Sequence, residues 1–195
     1  LIQLYHYDSL FETVHTSHPV RCFCEDEDGN ILIGTKGSGI KLLNPATKEL
    51  TDYLNESKGL ISNSVYALRR NKANDIFIGT EGTGINILNA ATGQLEKLEI
   101  PDKYPPFKAV YNIYFTNNDS LLWVGTSGYG LIKINISREQ GRYHVKGFRQ
   151  YNSSDKNISL NNDVVYAITS DPEDNMLWFG TRGGGLNCIN MKDNC

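Results

Sequence analysis

The stretch GTKGSG, at residues 34–39, contains the residue types that surround a bound phosphate. Glycine lets the backbone approach an anion closely, backbone N–H groups donate to the phosphate oxygens, and a lysine balances the charge. A phosphate loop is followed by a helix, because the N-terminal N–H groups of that helix complete the anion site. The residues after this stretch read instead as an apolar strand, and neither GxGxxG nor GxxxxGK[ST] is completed. We therefore expect no nucleotide site and no cofactor.

The glycine-rich pattern occurs four times, whereas a single phosphate site would need only one copy. The copies are GTKGSG, GTEGTG, GTSGYG and GTRGGG, which begin at residues 34, 79, 125 and 180 at intervals of 45, 46 and 55 residues. A period near 45 residues is typical of one four-stranded blade of a β-propeller. Glycine then serves a tight reversal between two strands, where a side chain would forbid the backbone angles.

Each copy lies within the same series of short apolar segments, which are rich in β-branched and aromatic residues and bounded by Gly, Asn, Asp and Ser. The first segments are VRCFCED, VYALRR, VYNIYF and VYAITSD, and the second are NILIGT, DIFIGT, LLWVGT and MLWFGT. A third segment follows each glycine turn, and a fourth follows in the first three repeats. No window carries a sustained helical stripe. The pattern predicts an all-β chain, a β-propeller fragment of about four four-stranded antiparallel blades.

The segments divide the chain into blades. Residues 1–15 read as the last two strands of a preceding blade, and residues 157–195 read as an incomplete blade with three strands. Three complete blades are predicted between them, over residues 16–58, 59–103 and 104–156, which gives 17 strands in total. Because both ends of the chain read as the middle of a repeat, we expect an excised piece. An open arc leaves blade faces and strand edges uncovered, so we expect it to close on itself or to pair with another copy of the chain.

The bulk composition excludes several classes of protein. The chain has 195 residues and a net charge of −3, and its basic residues are scattered rather than gathered into a stripe, which argues against a nucleic-acid partner. No apolar run approaches the ~20 residues that a membrane span needs. The four cysteines include no CxxC pair, and the four histidines form no ligand pattern, so we predict no metal site. Cys22 and Cys24 point to one face of a strand and are expected to be buried free thiols.

The variable positions of the glycine pattern are the first candidates for a ligand site. In a propeller blade the turn between the second and third strands lies at the same rim as the link into the first strand, so one rim collects these residues. They differ in chemistry from repeat to repeat: Lys36 and Ser38, Glu81 and Thr83, Ser127 and Tyr129, and Arg182 and Gly184. These residues would also differ between repeats if the turn required only its glycines, because its other positions would then be free to vary. A purely structural role and ligand contact both remain open for them.

The residues near the start of the first strands are the second candidates. Arg21, Tyr66, Tyr111 and Tyr166 occupy one repeat position in the strands expected to line the central channel. A ring of tyrosines would present aromatic faces and hydroxyl groups, which suit the C–H surfaces and hydroxyls of sugars. The same tyrosines could instead pack between blades. Trp123 belongs to the second strands, where we expect it and its counterpart Trp178 in the core.

The segments NSVYAL at residues 63–68, LWVGT at 122–126 and GTRGGGLN at 180–187 closely resemble the two-component regulator propeller repeat. In that family the repeat builds the periplasmic sensor region of hybrid two-component histidine kinases in polysaccharide-degrading bacteria. The first repeat departs from the pattern, with Pro19-Val20-Arg21 where the others have Val-Tyr. The resemblance implies an extracytoplasmic sensor fragment with no catalysis of its own. It further implies oligosaccharide ligands and signalling, through an inner-membrane protein, to a kinase outside this chain.

Two other classes of function remain open. A propeller enzyme acting on polysaccharide, such as a lyase or glycoside hydrolase, would need paired carboxylates or a base over the channel. The acids near the predicted rim, Glu81 and Asp163, lie in different repeats without an evident partner. A protein-interaction platform is the third class. The residues predicted to contact a ligand are Arg21, Lys36, Tyr66, Glu81, Tyr111, Tyr129, Tyr166 and Arg182.

Overall fold

A computed structural model describes residues 5–6, 12–155, 160–171 and 173–192 of the chain. These residues form 17 strands, as the sequence predicted, and one turn of 3-10 helix at Glu56–Lys58. The strands are β1 (Tyr5–His6), β2 (Glu12–Thr13), β3 (Val20–Glu25), β4 (Ile31–Thr35), β5 (Ile40–Leu43), β6 (Leu50–Leu54), β7 (Val65–Arg70), β8 (Ile76–Thr80), β9 (Ile85–Leu88), β10 (Leu95–Lys97), β11 (Val110–Thr116), β12 (Leu121–Thr126), β13 (Leu131–Glu139), β14 (Arg142–Tyr151), β15 (Val165–Asp171), β16 (Met176–Thr181) and β17 (Gly185–Asn190).

The strands pair in sequence order into antiparallel sheets, each of which is one blade. Strands β3 to β6, β7 to β10 and β11 to β14 form three four-stranded blades, and β15 to β17 form a three-stranded one. Strands β1 and β2 pair separately. The first strands of neighbouring blades contact one another, β3 with β7, β7 with β11 and β11 with β15. The blades therefore lie side by side with their first strands at the inner edge, which is the propeller arrangement that the repeats predicted.

Apolar side chains between adjacent blades provide the core. One cluster lies between the first and second blades around Ile40 and Val65, a second between the second and third around Phe77 and Val110, and a third between the third and fourth around Trp123. Each blade buries one face of its sheet against the next, so a blade is stabilised by its neighbours. Trp123 is fully buried, as predicted, whereas its counterpart Trp178 in the fourth blade is partly exposed.

The glycine turns join each blade to the next one, which explains their recurrence. The N–H groups of Gly37 and Gly39 both donate to the carbonyl of Asn63, at 3.0 and 2.9 Å, just before the first strand of the following blade. The amides of Gly128 and Gly130 donate in the same way to the carbonyl of Asp163, at 2.9 and 2.8 Å. The amides that could hold a phosphate therefore hold the neighbouring backbone.

The other recurring features of the turn are also structural. The last glycine of each copy has a positive φ, 68° at Gly39 and 74° at Gly130, where a side chain would be strained. The threonine closes the turn, because its hydroxyl donates to the carbonyl of that last glycine, over 2.9 Å from Thr35 and 2.8 Å from Thr126. The repeated Gly-Thr pair thus needs no ligand to account for it.

The first glycine of the first three patterns lies where blades approach closely. A Cβ built at Gly79 would lie 2.5 Å from Val110 Cγ1, and one at Gly125 would lie 2.8 Å from the carbonyl oxygen of Val165. At Gly180, in the fourth blade, a Cβ would meet nothing within 4 Å. Glycine at positions 79 and 125 is therefore required by the valine that opens the next blade.

The third blade carries a long hairpin that reaches across the second blade. Strands β13 and β14 have 9 and 10 residues, which accounts for the 55-residue interval between the third and fourth glycine patterns. The buried carboxylate of Asp75 accepts a hydrogen bond of 2.7 Å from the hydroxyl of Tyr143, forms an ion pair of 3.2 Å with Arg138, and accepts from the N–H of Ala90. Asn71 donates to the same hydroxyl over 2.6 Å. This network fixes the hairpin against the second blade.

The two end blades expose apolar residues that the blades between them bury. Val20 is 48% exposed, whereas the valines at the same repeat position, Val65, Val110 and Val165, are fully buried. Phe23 is 75% exposed, and its counterparts in the other blades are buried. On the opposite face, Leu186 is 68% exposed, whereas its counterparts Ile40, Ile85 and Leu131 are fully buried. The first blade thus presents the projecting side chains of an interblade contact, and the fourth presents the receiving face.

Candidate functional site

A β-bulge lies at the second residue of every first strand. The register shifts between Val65 and Ala67 in β7, so that Tyr66 has no direct partner on β8. The same irregularity surrounds Arg21 in β3, Tyr111 in β11 and Tyr166 in β15. A bulge re-aims the side chain of the extra residue and is common next to functional sites. All four candidate residues of the first strands are therefore placed by one repeated distortion.

The four bulged residues form a continuous row across the blades, which we call the tyrosine row (Arg21, Tyr66, Tyr111 and Tyr166). The Arg21 guanidinium carbon lies 5.9 Å from the Tyr66 ring centroid. Tyr66 meets Tyr111 edge-on, with 4.9 Å between centroids, and Tyr111 stacks on Tyr166 with 5.3 Å between centroids. Tyr166 is half exposed. Within the described residues, none of the three tyrosine hydroxyls donates a hydrogen bond. The row joins the blades and still presents ring edges and hydroxyls to solvent.

A second tier of side chains lies three residues further along the same strands. The Arg69 guanidinium carbon lies 5.3 Å from the Tyr114 ring centroid, and the Tyr114 hydroxyl lies 3.0 Å from the Ser170 hydroxyl. Asn112 donates to the carbonyl of Tyr166 over 3.3 Å. These contacts link the second, third and fourth blades, as the tyrosine row does.

The two tiers line one concave wall, which borders a volume of about 620 Å³ that is open to solvent. We call it the inner wall. Its residues all belong to the first strands of the four blades: Arg21, Cys22, Tyr66, Ala67, Leu68, Arg69, Tyr111, Asn112, Ile113, Tyr114, Tyr166, Ile168 and Thr169. The volume is in the range of small-molecule sites, but the exposed lining is mostly polar, whereas most such sites are lined mainly by apolar groups. Its volume and the four predicted residues on it make the inner wall the candidate ligand site.

The rim residues are held beside the tyrosine row by backbone hydrogen bonds. The N–H of Lys36 donates to the carbonyl of Pro19, and that of Glu81 to the carbonyl of Ser64, so each turn residue lies next to the start of its own first strand. Arg182 is held in the same way by Val164. The turn residues and the starts of the first strands therefore lie at the same rim, as the sequence predicted. Each of these side chains is exposed.

Tyr129 is not brought together with the tyrosine row. Its ring packs against the apolar cluster between the second and third blades, and its carbonyl accepts a hydrogen bond of 2.8 Å from the side chain of Gln150. Of the predicted ligand-contacting residues, the structure thus places Arg21, Tyr66, Tyr111 and Tyr166 on the inner wall. Lys36, Glu81 and Arg182 lie at its rim.

The pKa values of two tyrosines of the inner wall are shifted in opposite directions. Burial, followed by the nearby Glu81 carboxylate, raises the pKa of Tyr66. The hydrogen bond to Ser170, with a smaller contribution from Arg69, lowers the pKa of Tyr114. Glu81 therefore lies close enough to Tyr66 to act on it, which places one carboxylate at the rim of an otherwise arginine-bearing wall.

The other titratable candidates show no catalytic arrangement. Burial raises the pKa of the Cys22 thiol to about 12, so that this thiol stays protonated and unreactive near neutral pH. Asp163 accepts hydrogen bonds from the backbone and hydroxyl of Ser153, at 2.6 and 2.8 Å. In the part of the chain that the structure describes, no three His, Cys, Asp or Glu side chains are placed to hold a metal ion. Nor does any helix there have the length and apolarity to cross a membrane.

Arg69, Tyr114 and Thr169 are the site residues that sequence reasoning missed. Ordinary strand alternation puts residues i and i+2 on one face, so residues three apart are expected on opposite faces. The bulge adds one residue, and Tyr66 and Arg69 consequently line the same wall. The recurring spacing of three from the bulged residue is the signal that would have found them, once the bulge is assumed.

Comparison with known proteins supports the fold. The profile of the two component regulator propeller matches residues 16–37. A search of curated proteins found no match. Among solved structures, the extracellular domain of BT3049 from B. thetaiotaomicron, assigned as a hybrid two component system, is 22% identical with a TM-score of 0.53, over 92% of this chain and 29% of that one.

Two structures of the extracellular domain of BT4673 from B. thetaiotaomicron also match. One, assigned as a one component system, is 18% identical with a TM-score of 0.55, over 94% of this chain and 28% of that chain. The other, assigned as a hybrid two component system, is 19% identical with a TM-score of 0.53, over 87% of this chain and 26% of that chain. The present chain thus spans less than a third of the length of these domains. It matches the two-component regulator propeller repeat over residues 16–37, within its first repeat, and shares the fold of these extracellular domains, as the sequence predicted.

Proposed function

We propose that the chain is part of an extracytoplasmic sensor of a hybrid two-component system, located in the periplasm, whose inner wall binds an oligosaccharide. The tyrosine row carries this proposal: four side chains from four blades, placed by four equivalent bulges, share one concave surface. The similar solved structures are extracellular domains of proteins assigned to one- or two-component systems, which supports the sensing role.

The chemistry of the inner wall suits a sugar chain. Ring edges and faces of Tyr66, Tyr111 and Tyr166 can pack against sugar C–H groups, and their hydroxyls can exchange hydrogen bonds with sugar hydroxyls. Asn112 and Thr169 add further polar groups below the row. Because the row crosses all four blades, its length favours several sugar units over a single one.

Signalling requires that the ligand bind one arrangement of the parent protein better than another. A ligand that contacts several blades favours the arrangement in which those blades are correctly spaced. The kinase that reads this difference lies outside the present chain. A propeller enzyme would instead turn its ligand over, and a protein-interaction platform would bind a protein partner.

Calorimetry with a panel of hexasaccharides tests the proposal. Cellohexaose, xylohexaose, hexagalacturonate and a heparin hexasaccharide sample neutral and acidic chains. We expect saturable binding of at least one probe without product, and a loss of roughly 10-fold or more in affinity for Tyr111→Ala, because the middle ring of the row contacts both neighbours. Tyr104→Ala is the matched control, since Tyr104 stacks on Phe148, away from the inner wall.

The outcomes separate the three classes of function. Binding of no probe, or binding that Tyr111→Ala leaves unchanged, contradicts an oligosaccharide site on the inner wall. Release of shortened sugars would favour an enzyme. Recovery of a protein partner, with no sugar bound, would favour the interaction platform.

The partner of the exposed end faces is, we propose, another copy of the chain. The face with Val20 and Phe23 presents the side chains that every other blade inserts into its neighbour, and the face with Gly180 and Leu186 presents the surface that receives them. A head-to-tail contact of two copies would repeat an interface that the chain already forms three times. Such a contact is heterologous, and it closes into a ring only if the rotation permits.

Sedimentation at increasing protein concentration tests this contact. We expect self-association that Val20→Asp abolishes, because the new carboxylate would be buried without a partner. Ser57→Asp, on the exposed 3-10 turn, is the control for added charge. A monomer at all concentrations, or association that Val20→Asp leaves intact, would contradict the proposal.

A further inference from the structure

The inner wall carries positive charge that no acidic side chain on that wall balances. Two of its residues are arginines, Arg21 and Arg69, and none is an aspartate or glutamate. The chain as a whole has a net charge of −3, so the inner wall is positively charged whereas the rest of the chain is negatively charged. Glu81 lies at the rim near Tyr66, beside the tyrosine row.

The two arginines are available to a ligand. Both are exposed, and within the described residues neither forms an ion pair. By contrast, neighbouring Arg70 donates to the carbonyl of Asp26, and Arg138 pairs with the buried Asp75. A guanidinium that is not paired with a carboxylate of the protein can donate its N–H groups to an acceptor on a ligand.

The arginines are also positioned rather than free to move. Each lies over a tyrosine ring of the adjacent blade, Arg21 over Tyr66 and Arg69 over Tyr114. Stacking on a ring restricts the guanidinium while leaving its N–H groups exposed, which lowers the entropy lost when an anion binds. The hydroxyls of Tyr114, whose ring lies under Arg69, and of Ser170 bond each other, which leaves one hydroxyl hydrogen to donate to a ligand.

We infer that the ligand of the inner wall is an acidic oligosaccharide, and that Arg69 binds its carboxylate or sulfate groups while the tyrosine row holds the sugar rings. This inference rests on the proposed function and adds the charge of the ligand. A planar guanidinium matches a carboxylate or a sulfate with two parallel hydrogen bonds, and such charge-assisted bonds are stronger than neutral ones. Arg21 supplies a second positive charge at the first-blade end of the row.

The test compares acidic and neutral hexasaccharides by calorimetry on the chain and on charge variants. Hexagalacturonate offers carboxylates, a heparin hexasaccharide offers sulfates as well, and cellohexaose offers neither. We expect at least one acidic probe to bind more tightly than cellohexaose, with an affinity that falls as sodium chloride is added. Arg69→Gln should weaken that binding roughly 10-fold to 100-fold, which is the range for hydrogen bonds to charged groups.

Matched variants separate a specific site from general attraction. Arg142→Gln removes the same charge at the exposed tip of the β13–β14 hairpin and should leave binding unchanged. Arg69→Lys keeps the charge without the fork and should retain only part of the affinity. Circular dichroism of each variant checks that the fold is intact. The two acidic probes also show whether the site binds carboxylate or sulfate groups, since a sulfate site prefers the heparin hexasaccharide.

Three results would overturn the inference. One is cellohexaose binding as tightly as both acidic probes; in that case the oligosaccharide site stands and only its charge preference is wrong. Another is equal loss of binding in Arg69→Gln and Arg142→Gln, or no loss in either. The third is a single-stranded hexathymidylate that binds as tightly as the acidic sugars, because the wall would then attract any polyanion. Binding of no sugar at all rejects the proposed function together with the inference.

Discussion

Adding one methyl group at equivalent glycines should have opposite effects in different blades. Gly79→Ala places a Cβ 2.5 Å from Val110 Cγ1 and 2.8 Å from the Val110 carbonyl oxygen. Part of this clash is with backbone, so the second and third blades must separate slightly to relieve it. Gly180→Ala makes the same chemical change where nothing lies within 4 Å. The pair isolates blade stacking from the intrinsic effect of replacing a strand glycine.

The magnitudes follow from two opposing effects. Overpacking at a close contact costs about 1–3 kcal/mol, and replacing a strand glycine by alanine recovers about 0.5–1 kcal/mol. Gly79→Ala should therefore lower the free energy of unfolding by up to about 2.5 kcal/mol, while Gly180→Ala should raise it by about 0.5–1 kcal/mol. For a chain of this size, 1 kcal/mol corresponds to roughly 2–4 °C in Tm.

Thermal unfolding followed by circular dichroism measures the difference. The experiment is run at low protein concentration, so that contact between copies does not contribute to Tm. We expect Gly79→Ala to melt below the wild type, by up to roughly 10 °C, and Gly180→Ala to melt at or slightly above it. Equal shifts in the same direction would refute the conclusion that Gly79 is fixed by the valine of the next blade.

Three further predictions concern buried groups. Asp75→Ala should lower the free energy of unfolding by about 3 kcal/mol in urea titrations, because it leaves Arg138 and Tyr143 without their shared partner; an effect under ~1 kcal/mol would contradict this. Burial and the bond to Asp75 raise the pKa of Tyr143 to about 12, above its ordinary value of 10.0. Its stabilising effect is therefore complete below pH 10 and is lost as the pH rises towards 12. Tyr143→Phe should be less stable than the wild type at pH 7 by an amount that shrinks over that interval, and a constant difference would exclude the linkage. Iodoacetamide at pH 8 should modify exposed Cys188 well before Cys22, whose pKa is about 12, as mass spectrometry of tryptic peptides can establish; equal rates would contradict this.

Most of the fold could be predicted because the sequence repeats it. Four Gly-Thr pairs at nearly constant spacing, each between apolar segments, specify a strand–turn–strand unit. Each local choice agrees with the others, since β-branched residues fill the strands and glycine fills the turns. The interval of 55 residues was visible too. Its cause was not, because the long β13–β14 hairpin is fixed by Asp75, which lies more than 60 positions away from Arg138 in the sequence.

The candidate site could be predicted only in part. The repeat position of Tyr66, Tyr111 and Tyr166 was evident, because it recurs in register. No side-chain pattern indicates the bulge that adds one residue to each first strand. Simple strand alternation would put Arg69 on the face opposite Tyr66, and the bulge places it on the inner wall instead. Tyr129 was placed at the wrong site for another reason. Its position in the turn predicted a rim residue, but its ring packs against the apolar cluster between the second and third blades.

The location of the bound ligand is the most direct test of the account. Two-dimensional NMR of the chain with isotope-labelled tyrosine rings can follow each ring as the tightest-binding hexasaccharide is added, with assignments from single Tyr→Phe variants. We predict that the signals of Tyr66, Tyr111 and Tyr166 shift together and saturate at one ligand concentration, while the signal of Tyr104 stays in place. Saturable shifts at Tyr104, with the three signals of the tyrosine row unmoved, would contradict a ligand site on the inner wall.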